Sequence, residues 1–333
     1  MVDELEVEDS YLFLFSRVSA TLRARRRFIR SRGENIGMES ESRERKEQPS
    51  TYMVQDRSNQ EEMERLLIQD QLFTKNMGGV LPEQSDPARF QSILDVGCGT
   101  GGWLIELAKT YPSIKTSAGI DISTRMVDYA RQQASEQGVS DRVEFHVMDA
   151  LRMIEFPKGY FDLVNHRFNF SYLRTWDWPN LLQKYQYSAR FGGIIRITEG
   201  DLIIKSTSLA LNTLNDLGQD ALWHAGHLFT SGYTSVTSML PGLLHQQGLS
   251  DVQTRVIPTE YVPGTDTFPA FVDDIRIIGR TVLPFLRKWT RVPDNYEQLR
   301  QQALADMQQP DFRATGQFVT VWGTNTSETA NSL

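Results

Sequence analysis

The spacing of apolar and polar positions changes repeatedly along the chain, and the changes follow a regular order. Residues 60–78 carry Met63, Leu66, Leu67, Ile68, Leu72 and Phe73 at helical spacing, with Gly78 and Gly79 as the stop. Ile93, Leu94 and Val96 read as a short buried strand, and 103–110 as the helix after it, ended at Pro112. The pattern predicts a second strand over 116–121 and a helix over 124–137, with Ser123 as N-cap and Gly138 as stop. Residues 143–147 alternate as a third strand and 161–165 form a fourth. A helix opened by Trp176 or Asp177 and running to 190 follows, then a Phe191-Gly192-Gly193 turn and a fifth strand over 194–198. These elements read as successive strand–helix–strand units.

Beyond residue 201 the pattern is weaker. Residues 206–217 and 235–247 look helical, the second with Pro241 as a kink or break. Residues 252–257 and 317–322 look like strands. Between them, 268–289 reads as an amphipathic helix interrupted by Pro284. Its Asp273-Asp274 pair and modest basic content favour a core or lid helix over one lying on a membrane. The chain divides into an extension over 1–50, a lid helix and linker over 51–89, a ligand-binding core over 90–200, and a C-terminal part over 201–333. The extension runs from an acidic start through an apolar stretch at 11–15 to a basic stretch at 23–32. Arg25, Arg26 and Arg27 allow a nucleic-acid or membrane patch, but a solvated, disordered segment is the simpler reading.

Composition narrows the class. Forty per cent apolar residues suffices for a globular core, and no run approaches the ~20 residues that span a bilayer. A net charge of −7 argues against general nucleic-acid binding. The one cysteine, Cys98, leaves no intrachain disulfide and no cysteine-based metal site. The default compartment is reducing and cytoplasmic.

The chemistry concentrates after the first strand, at Asp95-Val96-Gly97-Cys98-Gly99-Thr100-Gly101-Gly102. Glycine lets a ligand approach the backbone and permits positive φ. Free N–H groups at the following helix start attract a carboxylate or phosphate. The Gly97-x-Gly99-x-x-Gly102 spacing also fits a dinucleotide loop, which is a weak signal alone. Asp95 points elsewhere, because a carboxylate there repels a pyrophosphate and suits an ammonium or sulfonium.

Two further acids lie at later strand ends. Asp121 follows the glycine loop by about twenty residues and can accept both hydroxyl protons of a ribose. Ile122 and Met126 can sandwich an adenine ring, although Met126 at helical spacing equally suits the core. Asp149, with Ala150 beside it, can read the adenine edge, or can simply cap a turn. Asn165 and His166 end the fourth strand, where open α/β sheets bind ligands. Tyr52, Arg65, Gln69 and Gln71, on or just before the 60–78 helix, either reach a ligand at this edge or stay in water.

The motifs Asp95-Val-Gly97-Cys98-Gly99-Thr-Gly101, Gly119-Ile-Asp121-Ile122-Ser123, Met148-Asp149-Ala150, Phe161-Asp162-Leu-Val164 and Phe191-Gly192-Gly193 resemble, in order and spacing, class I S-adenosylmethionine-dependent methyltransferases of the small-molecule type. The resemblance covers roughly residues 60–200 plus the two late strands. It implies an α/β, Rossmann-like sheet of seven strands in the order 3-2-1-4-5-7-6, the last antiparallel, with helical lid elements. It also implies S-adenosylmethionine as cofactor. Asp95, Gly97, Cys98, Gly99 and Gly101 would flank its methionine, Asp121 its ribose, Asp149 and Ala150 its adenine, and Asn165 or His166 its sulfonium end. An Asn-Pro-Pro-Tyr signature is absent after the fourth strand, which counts against DNA-base methylation.

Methyl transfer is an in-line displacement that depends on proximity, with a base needed only where the acceptor loses a proton. Candidate bases are His166, Glu199, Asp201, His224 and His227. His224 and His227 lack a third ligand in sight, so no metal site is expected. Tyr172, Trp176, Trp178, Trp223, Phe229 and Tyr233 would wall an apolar acceptor pocket if they converge, and are core if they do not. The expected partner is a hydrophobic or aromatic small molecule, with no nucleic acid, no stable membrane insertion, and a monomeric or homodimeric chain. A protein or RNA methyltransferase, and a non-catalytic S-adenosylmethionine-binding protein, are the alternatives.

Overall fold

The computed structural model describes residues 52–54, 60–201, 204–230 and 235–327. The extension expected over 1–50 and Tyr233 lie outside the described residues. Five strands run parallel in the order β3-β2-β1-β4-β5: β1 (Ser92–Val96), β2 (Thr116–Asp121), β3 (Val143–Val147), β4 (Phe161–Arg167) and β5 (Ala189–Gly200). The long β8 (Ala314–Thr324) joins β5 antiparallel, and β7 (Ser250–Tyr261) covers its far side. The long strands thus follow the expected 3-2-1-4-5-7-6 order.

An eighth strand was not expected. The two-residue β6 (Lys205–Ser206) pairs with Thr315 and Ala314 of β8, which β7 also pairs with through Glu260 and Tyr261. A strand residue has only two sides, so β6 lies on the side of β5 and prolongs its line.

Helices sandwich this sheet because each carries one apolar face. On one side, α4 (Trp178–Ser188) and α6 (Val236–Gln246) bury Trp178, Leu182, Tyr185, Leu240 and Leu244. On the other, α2 (Gly102–Thr110) and α3 (Thr124–Glu136) bury Trp103, Leu107, Val127 and Ala130. Burial on both faces explains why β4 is buried at every position. Ser123 does cap α3, its hydroxyl accepting from the Met126 N–H at 3.4 Å.

The remaining helices form their own cluster with α1 (Gln60–Met77). They are α5 (Leu209–Ala225), α7 (Phe268–Thr281), α8 (Leu283–Trp289) and α9 (Tyr296–Asp306). Leu72 of α1 packs with Leu211, Phe271, Ala303 and Phe312. Several expectations change here. The helix at 206–217 begins at Leu209, behind the Ser208 cap, and runs on to a left-handed Gly226. Pro241 does not end α6, while the 268–289 segment divides before Pro284, which sits in the first turn of α8. Residues 82–89 are more than a linker, because Glu83 is buried against the sheet and 87–89 form a 3-10 turn. Among the described residues no helix is long and apolar enough to cross a membrane.

Candidate active site

β1 is the strand from which the chain winds both ways, so its carboxyl end and that of β4 border the crevice where open α/β sheets bind ligands. The glycine turn sits there. Gly97, Gly99 and Gly101 all have positive φ, at 70°, 52° and 76°. Side chains other than glycine disfavour that region, and Gly101 is also crowded, since a Cβ there would lie 2.7 Å from the Phe145 ring.

Asp95 ends β1 as a buried carboxylate. It faces Asn165 on β4, and Asn165 Nδ2 donates to its Oδ1 over 2.7 Å. Asn165 Oδ1 in turn accepts from Arg196 on β5 at 2.7 Å, and Arg196 Nε donates to Glu83 at 2.7 Å. The guanidinium therefore fixes which way the Asn165 amide points. Burial pushes the Asp95 carboxyl up to about 7, against the opposing pull of Asn165 and Arg167. Nothing in the spacing of the sequence signalled Glu83 or Arg196, because the partners of each are on distant elements.

Asp121 ends β2 and serves the turn directly. Its Oδ2 accepts from the Gly99 N–H at 3.1 Å and its Oδ1 from the Ser123 N–H at 2.8 Å. Asp149, after β3, accepts from the Leu151 N–H at 3.0 Å and so closes a turn. Between them Ile122 stands 48% exposed, while Met126 and Ala150 are buried. The three acids thus occupy three adjacent strand ends along one edge of the sheet.

The lid helix crosses near the same edge. Arg167, the last residue of β4, donates to Asp70 at 2.8 Å and to Thr74 at 3.1 Å. Asp70 lies against the start of α2, where a Cβ on Gly102 would meet its Oδ2 at 2.3 Å. Arg65 ties α1 to α7, donating to Glu62 and to Asp274 at 3.0 Å. Tyr52 donates to Glu62 at 2.8 Å, and burial raises its phenol, with a further push from Asp121. Gln69 reaches Asp274 at 3.4 Å, and Gln71 is exposed.

The candidate bases separate cleanly. His166 and Glu199 are both fully buried and bond each other, Nε2 to Oε1, at 2.7 Å. His166 Nδ1 meets the Tyr185 hydroxyl at 2.7 Å. Successive strand residues point to opposite faces, so Asn165 faces Asp95 while His166 faces α4. The two side chains thus bond each other inside the core, on the α4 side of the sheet, and Glu199 Oε2 has no partner among the described residues. His224 is exposed, with Nδ1 bonded to the Asp220 carbonyl of its own helix. His227 differs. Its Nδ1–H donates to the Phe170 and Leu173 carbonyls at 2.9 and 2.8 Å, and its buried Nε2 has no partner among the described residues. Burial lowers its pKa, so the ring is neutral near pH 7.

Among the described residues, these aromatics fall into separate places. Trp178 is core, and Trp176 is exposed and stacks under Arg174. Tyr172 and Phe229 pack against the sheet core, Trp223 against the α5 and α8 cluster, and Phe170 against both. Among the described residues no group of three His, Cys, Asp or Glu is placed to hold a metal ion.

The sheet order and the acid-bracketed glycine turn define a class I, Rossmann-like methyltransferase fold. Residues 93–193 match the family described as a methyltransferase domain. Over 126 residues the chain is 34% identical to aklanonic acid methyltransferase DauC of Streptomyces sp. (strain C5), covering 38% of this chain and 56% of that one. It is 45% identical over 74 residues to ajmaline N-methyltransferase of Rauvolfia serpentina, covering 22% and 24%. The matched stretch thus spans about half of the first relative and a quarter of the second. A phosphoethanolamine N-methyltransferase 2 from Haemonchus contortus, solved with phosphomonomethylethanolamine and S-adenosylhomocysteine, shares the fold. Its TM-score is 0.51 at 16% identity, over 83% of this chain and 60% of that one.

Proposed function

We propose that this chain is an S-adenosylmethionine-dependent methyltransferase acting on a hydrophobic or aromatic small molecule. The observation that carries this reading is the row of three carboxylates, Asp95, Asp121 and Asp149, on adjacent strand ends beside the glycine turn. The residues fit a cationic nucleoside: a buried carboxylate suits a positive charge, and Ile122 offers an exposed apolar face to a base. When bound, S-adenosylmethionine supplies a methyl group on a sulfonium, already activated for displacement. Asp95 would hold the cationic end, Asp121 the ribose hydroxyls, and Asp149 with Ala150 the adenine edge. The α1 helix, pinned by Arg65 and Arg167, would exclude water from the loop.

His227 is the base that best suits an acceptor losing a proton. Its Nδ1–H is held by two carbonyls of the loop after β4, which leaves the Nε2 lone pair as proton acceptor. The proton of an acceptor hydroxyl, amine or acidic carbon would pass to Nε2 as the acceptor's own O, N or C atom takes the methyl group and a neutral thioether is left behind. The relatives whose names give an acceptor act on small molecules, among them aklanonic acid and ajmaline, which favours this class over protein or RNA.

The test is a labelled-methyl screen of the full chain against hydroxylated aromatics, amines and prenylated compounds, with His227→Asn in parallel. Transfer to a small acceptor, lost in the variant while cofactor binding is kept, supports the reading. Binding of S-adenosylmethionine without transfer to any acceptor favours a binding protein instead.

A further inference from the structure

Asn169 is not one of the residues that the motifs pick out, yet it sits where β1 and β4 diverge. It is 4% exposed. Its Nδ2 donates to the Val96 carbonyl at 2.7 Å, spanning the two strand ends. Its Oδ1 lies against Gly97, 2.3 Å from where a Cβ on that residue would stand. Among the described residues this oxygen has no hydrogen-bond partner. An amide whose nitrogen is anchored and whose oxygen lies on the glycine turn without such a partner can accept a hydrogen bond from a ligand there.

The backbone around it is held by force. Phe168 has φ 55°, a conformation that side chains rarely adopt. The Phe168 N–H is held by the Thr198 carbonyl at 2.9 Å, and the Asn169 N–H by Glu199 Oε1 at 3.0 Å. That same Glu199 oxygen accepts from His166, whose other nitrogen meets Tyr185. The buried Tyr185–His166–Glu199 row therefore ends on the turn that presents Asn169.

We propose that Asn169 Oδ1 accepts a hydrogen bond from the α-ammonium of the bound cofactor, beside the charge of Asp95. Glu199 is the positioning residue that fixes the turn. A carbonyl oxygen and a carboxylate together offer an ammonium two of its three donors' partners without adding a second buried charge. This inference rests on the S-adenosylmethionine reading, and its test separates the two.

The experiment measures calorimetric binding of three probes: S-adenosylmethionine, S-adenosylhomocysteine and 5′-methylthioadenosine. The last lacks the amino-acid group. For wild type, all three should bind. Asn169→Ala should weaken the first two by about ten- to hundredfold and leave 5′-methylthioadenosine unchanged. Glu199→Gln, which keeps shape, should show the same selective loss to a smaller degree. Thermal melts check that each variant folds. Equal weakening of all three probes, or no weakening, overturns the proposal. If wild type binds none of them, the cofactor reading itself fails.

Discussion

Asp95 and Asn165 face each other across the β1–β4 pair, and the Asn165 amide donates to the Asp95 carboxylate over 2.7 Å. Asn165 is held in turn by Arg196, so the acid most exposed to the proposed ligand's charge is aimed by a residue on the next strand. Burial outweighs this single hydrogen bond, and Asp95 titrates near 7 in the free protein. A bound cation favours the ionised form and lowers that value. Affinity for S-adenosylmethionine should therefore be full above about pH 7 and fall as pH drops through it, by up to about tenfold per unit. Calorimetry in buffers of different ionisation enthalpy should show proton release on binding near pH 7. A flat profile would contradict the assignment.

The same shift has an opposite sign for stability. The folded carboxyl is raised above its unfolded value, so its contribution is complete below about pH 4 and is lost as pH rises through 7. Asp95→Asn should therefore melt higher than wild type above pH 7 in the ligand-free protein, by at most about 4 kcal/mol of stability. It should also bind S-adenosylmethionine far less tightly. Equal melting temperatures at pH 8 would argue that Asp95 is not held in a desolvated site.

Arg196 is fully buried between Glu83 and Asn165. Arg196→Met leaves the Glu83 carboxylate without its counter-charge inside the protein. Loss of about 3–5 kcal/mol is expected in denaturant titration. The double variant with Glu83→Gln should recover part of it, since neither charge then remains unpaired. Additive losses would mean that the two residues do not act as a pair.

Gly97→Ala tests the turn itself. The added Cβ would meet the Asn169 amide, and φ of 70° is strained for alanine. Destabilisation of about 1–2 kcal/mol should appear in thermal melts. Adding Asn169→Ala should relieve the steric part and leave the backbone part. If the single variant melts like wild type, the contact between the two residues is not as tight as the geometry indicates.

Much of this was legible in the sequence. The glycine run with Asp95, then Asp121 and Asp149 at one-unit intervals, is local information: each acid ends its own strand, and spacing alone places it. Strand order came through only by way of the family resemblance that these motifs carry, since spacing along the chain does not say which strands pair. The bond between His166 and Glu199 did not come through, because a strand's two faces have to be assigned before two polar residues on different strands can be paired. Asn165 and His166 are neighbours in sequence and face opposite sides. Glu83, Arg196 and Asn169 were silent because their partners lie far along the chain, and no short pattern marks a long-range hydrogen bond. α9, over Tyr296–Asp306, buries Ala303 beneath a polar surface, too faint an apolar stripe to read alone.

The most direct measurement is calorimetric titration of the full chain with S-adenosylmethionine, and with NAD as the competitor that a glycine turn of this spacing also allows. One molecule of S-adenosylmethionine per chain, weakened about ten- to hundredfold by Asp121→Ala, with no binding of NAD, is the expected result. Binding of NAD, or no binding of S-adenosylmethionine by wild type, would contradict the account.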